Sequence, residues 1–313
     1  MEYVTVNQFD ELIRHNLHRI PHDIDLVVGI PRSGMLPANL IALYLNTRLS
    51  DIDSFVGGRI YSNGLSRGGY VRKGEIKKVL VVDDSIGSGA SMNDAKKKLE
   101  VCRDGNYDFI FCAPIATTGG SKMVDLYFTI IDGGRVFEWN IFHHSILSNA
   151  CVDIDGVLCV DPLLDDDGEV YQSFLQTANP LFVPTCKINT LISCRLEKYR
   201  NQTEKWLSDN HVDYDKLVML DFPDKATRVA WGKHGEYKGR YYAQRQDCSL
   251  FIESSYAQAV EIARISGKPV YCVESNSMIQ IQVVSKKKRF LHAIRKRMPN
   301  VYSRIRKMYY RTK

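Results

Sequence analysis

The sequence predicts an α/β protein made of two doubly wound parallel-sheet domains, and three observations carry that prediction. Residues 79–82 and 150–152 are short apolar runs with no polar alternation, as suits strands buried on both faces of a parallel sheet. Each run ends in acids, Asp83 and Asp84 in the first, Asp153 and then Asp155 in the second. Carboxyl ends of strands are where open α/β sheets bind ligands. Around both runs, strand-like and helix-like stretches alternate along the 313 residues, a length that accommodates about two domains.

Taken in order, residues 7–18 place Phe9, Leu12, Ile13 and Leu17 at helical spacing. Residues 25–35, DLVVGIPRSGM, read as a strand running into a Pro-Arg-Ser-Gly turn, with a helix from about 36 to 46. Arg32 can pair an anion there, and Gly34 frees the backbone. Residues 57–74 hold six glycines together with Arg59, Tyr61, Arg67, Arg72 and Lys73, a composition too costly to order by itself and therefore expected to move.

The run VLVVDDSIGSGAS at 79–91 organises the first half. Gly87 and Gly89 permit a tight turn with exposed N–H groups, and Ser88 and Ser91 add hydroxyls. A helix opening near Ser91, just past Ala90, brings its positive dipole end to the turn. That is a seat for a phosphate monoester. The acids beside it suit sugar hydroxyls, which donate to carboxylates, or a bridging Mg²⁺. No lysine follows Gly89 as a Walker loop requires, and Met92 stands where a dinucleotide fingerprint needs its third glycine. A helix at about 91–103 and strands at about 107–117 and 124–131 complete the alternation.

This run resembles the phosphoribosyl pyrophosphate (PRPP) motif of type I phosphoribosyltransferases, and the PRSG turn resembles their pyrophosphate loop. The resemblance spans roughly residues 20–135. It implies that Asp83 and Asp84 hold the ribose hydroxyls, that residues 87–91 hold the 5-phosphate, and that Arg32, Ser33 and Gly34 meet the pyrophosphate. It also implies that 57–74 is the loop that closes over the site, although this stretch does not reproduce the loop signature of the orotate or hypoxanthine enzymes. Residues 132–148 would then lie near the acceptor. His143 and His144, weighed there as acid–base groups, read better as structural.

In the second half, ACVDIDGVLC sets Asp153 and Asp155 two residues apart at a strand end, where one can attack phosphorus while the other handles the leaving oxygen's proton. DxDGVL resembles motif I of haloacid dehalogenase-like phosphatases. The resemblance implies further parts: Ser193, ending a strand at 188–193 and followed by a long helix, as a phosphate-binding hydroxyl; Lys238, rather than Lys233, as the neutralising lysine; and Glu253, ending a strand, as a Mg²⁺ contact beside Asp153 and the Asp155 carbonyl. Only one acid is obvious in that last motif, and residues 160–187 leave room for only a small cap. The DDDG at 165–168 is not a calcium loop, because Leu163 occupies its first ligand position.

The eight cysteines form no CxxC pair and read as reduced core residues of a cytoplasmic protein. Residues 286–313 hold six Lys and six Arg with no acid, so the other 285 residues carry 30 basic and 36 acidic groups, a net of −6. Apolar residues in this tail recur near helical spacing. Such a segment suits the anionic inner face of the cytoplasmic membrane; nucleic acid is the less favoured partner and a solvated tail the plain alternative.

The expected organisation is a phosphoribosyltransferase domain (1–148), a phosphatase domain (149–285) and the basic tail (286–313). The expected function is transfer of 5-phosphoribosyl from PRPP to an acceptor followed by removal of the 5-phosphate, leaving β-ribofuranose. Salvage of bases would be undone by such a pairing, which favours a lipid-linked glycan of polysaccharide biosynthesis as the acceptor. The alternatives are a nucleobase phosphoribosyltransferase fused to a nucleotidase, and a PRPP-sensing regulator that binds nucleic acid. Family analogy favours a homodimer.

Overall fold

The computed structural model describes residues 1–61, 74–164 and 167–281. Most of the glycine-rich 57–74 segment, Asp165 and Asp166 of the DDDG run, and the whole basic tail lie outside the described residues. The chain divides into two compact units, Met1–Ile141 and Phe142–Lys313. Phe142 belongs with the second because its ring stacks on Phe182 at 4.4 Å. Among the described residues no helix is long and apolar enough to cross a membrane.

The first unit runs β1 (Glu2–Val4), α1 (Val6–Asn16), β2 (Leu26–Gly29), α2 (Met35–Leu45), β3 (Arg48–Asp51), α3 (Ile52–Val56), β4 (Lys78–Val82), β5 (Ser85–Ile86), α4 (Ala90–Leu99), β6 (Asp108–Cys112), β7 (Ile115–Ala116), β8 (Thr129–Ile130) and β9 (Arg135–Phe137). Its main sheet is parallel in the order β3-β2-β4-β6. The strand order reverses between β2 and β4, so the turns that follow these two strands leave the sheet side by side. Val27, Leu80 and Val82 feed the core under α1 and α2, while Leu26, Val28, Val79 and Val81 feed the core under α3 and α4. Neither face meets water, which is why these strands read as uninterrupted apolar runs.

Two strand expectations are corrected. The run at 107–117 breaks at Ala113 and Pro114 into β6 and β7, since proline has no N–H for the ladder. Of 124–131 only Thr129–Ile130 is strand, pairing with β7 in a small separate sheet.

The second unit comprises β10 (Ala150–Val152), α5 (Glu169–Thr177), β11 (Ile188–Leu196), α6 (Arg200–Asp209), β12 (Tyr214–Leu220), α7 (Lys225–Trp231), α8 (His234–Gln244), β13 (Leu250–Glu253), α9 (Tyr256–Ser266), β14 (Val270–Cys272) and β15 (Ser277–Ile279). Six strands lie in the order β12-β11-β10-β13-β14-β15, all parallel except the last pair. The first strand in sequence, β10, is thus central, with β11 on one side and β13 on the other. The helix expected to begin at Cys194 starts later. Strand β11 continues to Leu196, pairing with Leu220 after a register shift, and α6 opens at Arg200.

Candidate functional site

In the first unit the turn after β2 and the turn after β4 meet at Gly34. A methyl group there would stand 2.5 Å from the Ile30 carbonyl oxygen, 2.7 Å from that of Val82 and 2.9 Å from Asp83 Cα. Only a residue without a side chain lets the backbones approach so closely. The Pro31–Arg32 peptide is cis, Arg32 is exposed, and its Nη2 donates to Asn140 Oδ1 at 2.6 Å. Ser33 begins the turn into α2, its carbonyl accepting from Leu36 N–H at 3.1 Å.

Asp83 and Asp84 are each 8 % exposed. Burial, with the neighbouring Asp84 charge, pushes the Asp83 carboxyl up to about 7. Asp84 is also raised by burial, against a partial offset from Ser85 N–H, Asp83, the Trp139 indole and the Arg135 charge. The chain then turns through Gly87 and Ser88 to Gly89, whose φ of +76° makes it the residue before α4. It also lies under Met123, whose Cε would be 2.1 Å from a side-chain carbon at this position. The helix opens at Ala90, placing Ser91 inside its first turn rather than at its cap. Its first N–H groups have no intrahelical acceptors, the first turn carries no acid, and Ser88 Oγ reaches Ala90 N at 3.4 Å. Neutral donors and a dipole end therefore surround this turn, with two carboxyls at its edge.

His143 and His144 take structural places. His143 Nδ1 lies 3.0 Å from Thr185 Oγ1, and His144 Nδ1 accepts from Ile146 N–H.

In the second unit, Asp153 follows the central strand and is 5 % exposed. Lys238, one turn into α8, points under the sheet's end. Its Nζ donates to Asp153 Oδ2 at 2.6 Å, Glu253 Oε2 at 2.8 Å and Gln258 Oε1 at 3.1 Å. Burial works against the ammonium, yet the two carboxylates outweigh it and hold Lys238 above the usual lysine range. Burial likewise raises Asp153, with Lys238 opposing and Glu253 and Asp155 adding to the rise. Lys233, by contrast, is exposed.

Asp155 is engaged by a residue that sequence reasoning missed. Arg195, 1 % exposed at the extended end of β11, donates from Nε to both Asp155 oxygens at 3.1 and 3.2 Å and from Nη2 at 2.6 Å. Ser193 is fully buried, its Oγ accepting from the Arg195 N–H at 3.1 Å, and the neighbouring Cys194 reaches the cavity wall instead. That follows from the longer strand, which alternates its side chains through this segment. The cavity, of about 180 Å³, is lined among others by Asp153, Asp155, Asp161, Tyr171, Arg228 and Lys238. Asp161, Tyr171 and Arg228 carried no motif signal, because they come from the cap segment and from α7 and converge only in the fold.

The expected Mg²⁺ set of Asp153, Asp155 and Glu253 does not form a cage of acids. Glu253 is fully buried, with Oε2 taken by Lys238 and Oε1 by the Ser255 N–H at 3.2 Å and Ser254 Oγ at 3.4 Å. The Asp155 side chain is paired with Arg195, whereas the contact expected there is its main-chain carbonyl, which that pairing does not engage. Among the described residues no group of three or more acid, histidine or cysteine side chains converges to hold a metal. Glu253 here holds a lysine.

A comparison with protein-family models finds no match, and a comparison with curated proteins finds none. Among solved structures the chain is similar to a purine phosphoribosyltransferase from Pyrococcus horikoshii Ot3, at 20% identity over 44% of this chain and 92% of that one, with a TM-score of 0.33. It is also similar to a Helicobacter pylori xanthine-guanine-hypoxanthine phosphoribosyltransferase, at 17% identity over 45% of this chain and 93% of that one, TM-score 0.35. A chain of a Pnkp1/Rnl/Hen1 complex aligns with 81% of this chain and 97% of its own length, at 13% identity and a TM-score of 0.31.

Proposed function

We propose that the chain is a bifunctional enzyme that transfers 5-phosphoribosyl from PRPP to an acceptor and then removes the 5-phosphate. The observation that carries this reading is that both units set a pair of carboxylates at the carboxyl end of a strand where the sheet order reverses. One pair adjoins a phosphate-type turn and the other a buried lysine.

In the first step an acceptor hydroxyl oxygen attacks C1 of the ribose, and its proton passes to the leaving pyrophosphate. The C1–O bond to pyrophosphate breaks, the pyrophosphate leaves with the electron pair, and C1 is inverted. Asp83 and Asp84 would accept from the ribose hydroxyls, and Arg32 and Ser33 would hold the leaving pyrophosphate. A Mg²⁺ ion bound beside Asp83 and Asp84 would supply neutralising charge to the leaving pyrophosphate. In the second step an Asp153 oxygen attacks phosphorus and the ester P–O bond breaks. The departing 5-oxygen takes its proton from Asp155. Water then attacks the aspartyl-phosphate, returning a proton to Asp155 and freeing Asp153. Lys238 neutralises charge throughout, and Asp155 acts from within its pair with Arg195.

A lipid-linked glycan is the proposed acceptor. A free nucleotide would lose by the second step what the first conferred, whereas a glycan keeps its new β-ribofuranose. The basic tail suits a substrate presented at an anionic membrane surface.

The test is phosphate release from 5-phosphoribosyl esters by the wild type and by Asp153→Asn. Release should fall by about 10³-fold or more in the variant, as expected when a nucleophile is removed. Equal release by both proteins would sink the phosphatase half of the reading.

A further inference from the structure

The turn at 87–91 and the helix behind it supply only neutral donors. Residues 83–94, DDSIGSGASMND, contain no Lys or Arg, three acids stand among them, and the lysines of α4 lie in its last turn, away from the seat. A phosphate dianion placed beside Asp83 and Asp84 would find no countercharge in this stretch, and any ionised acid there would oppose it. The missing charge comes from the far end of the unit. A methyl placed on Gly87 would sit 3.3 Å from Arg135 Nη2, and the Arg135 charge also acts on Asp84. Among the described residues the Arg135 guanidinium makes no hydrogen bond and no ion pair within 4 Å.

Its position is fixed by packing. Strand β9 pairs with β1 through Glu2 with Arg135, Tyr3 with Val136 and Val4 with Phe137. Val136 and Phe137 are buried, the Phe137 ring stacks on Trp139 at 4.7 Å, and Glu138 Oε2 accepts from Val6 N–H at 2.7 Å. The six residues 135–140 thereby face both turns, Arg135 and Trp139 toward Asp84 and Asn140 toward Arg32.

Resting on the reading of this unit as a PRPP site, we propose that Arg135 is a substrate-binding residue that donates to the 5-phosphate of the phosphoribosyl group and closes the otherwise cation-free seat formed by residues 87–91. The planar fork of arginine suits a phosphate approached from one side, whereas lysine would supply charge without the paired donors.

The experiment is calorimetric titration of the full-length protein with PRPP, ribose 5-phosphate and inorganic pyrophosphate, for wild type, Arg135→Gln and Arg135→Lys, with thermal melts of each unliganded protein. Arg135→Gln should weaken PRPP and ribose 5-phosphate by about 10–100-fold and leave pyrophosphate unchanged, as befits loss of a charge-assisted bond at one phosphate. Arg135→Lys should recover only part of the loss while melting like the wild type. Unchanged ribose 5-phosphate affinity in Arg135→Gln, or an equal loss for pyrophosphate, overturns the assignment. A wild type that binds neither PRPP nor ribose 5-phosphate overturns the PRPP reading itself and the inference with it.

Discussion

Asp83 shows how a buried carboxyl at a strand end acts on the fold. In the unfolded chain its carboxyl ionises near 3.8, and in the folded chain burial and Asp84 push it up to about 7. Between those values the unfolded state has released a proton that the folded state still holds. The protonated pair's contribution to stability is therefore complete below the lower value and lost as pH rises through the upper one. Asp83→Asn should abolish much of that loss, so the first unit of the variant melts higher than wild type near pH 8 and the gap closes near pH 5. Each kcal/mol recovered is worth roughly 2–4 °C. A gap of the same size at both pH values would contradict the account. This acid pair was legible in the sequence because it ends an apolar run. Arg135 and Arg195 were not, since each gains meaning only from a strand pairing that brings it to a distant acid.

At the scale of elements, the two turns of the first unit are joined by a backbone contact that no substitution can preserve. Gly34→Ala must crowd the Ile30 carbonyl of its own turn and push that turn away from Val82 and Asp83, all met through main-chain atoms that cannot swing aside. The expected cost is about 1–3 kcal/mol by denaturant unfolding, with PRPP binding weakened along with it. Wild-type stability would mean that the turns are not in contact in solution. Strands buried on both faces, such as β2, β4, β10 and β13, were legible from their unbroken apolar character. The ends of elements were less so. Nothing in the pattern of INTLISCRL distinguishes a strand that stops at Ser193 from one that runs on to Leu196, yet the three extra residues are what carry Arg195 to Asp155.

For the molecule as a whole, two units with separate cores and separate carboxylate pairs imply separable chemistry. Asp153→Asn is expected to release pyrophosphate from PRPP at the wild-type rate in the presence of acceptor and to accumulate a phosphorylated product. Asp84→Asn is expected to stop pyrophosphate release while cleaving a supplied 5-phosphoribosyl ester normally. Loss of both activities in either variant would show one site rather than two. The order of the motifs was readable from the chain; the dependence of the first unit on its own last residues was not, because residues 135–140 carry no motif. A gene fragment ending at codon 134 would encode every recognisable signature of that unit. Its product would nevertheless lack the partner strand of β1, two aromatic rings packed beside Phe9, and the amide that steadies Arg32. A shortened clone of that kind would yield an inactive protein, and its silence in an assay would be mistaken for a lack of the chemistry itself.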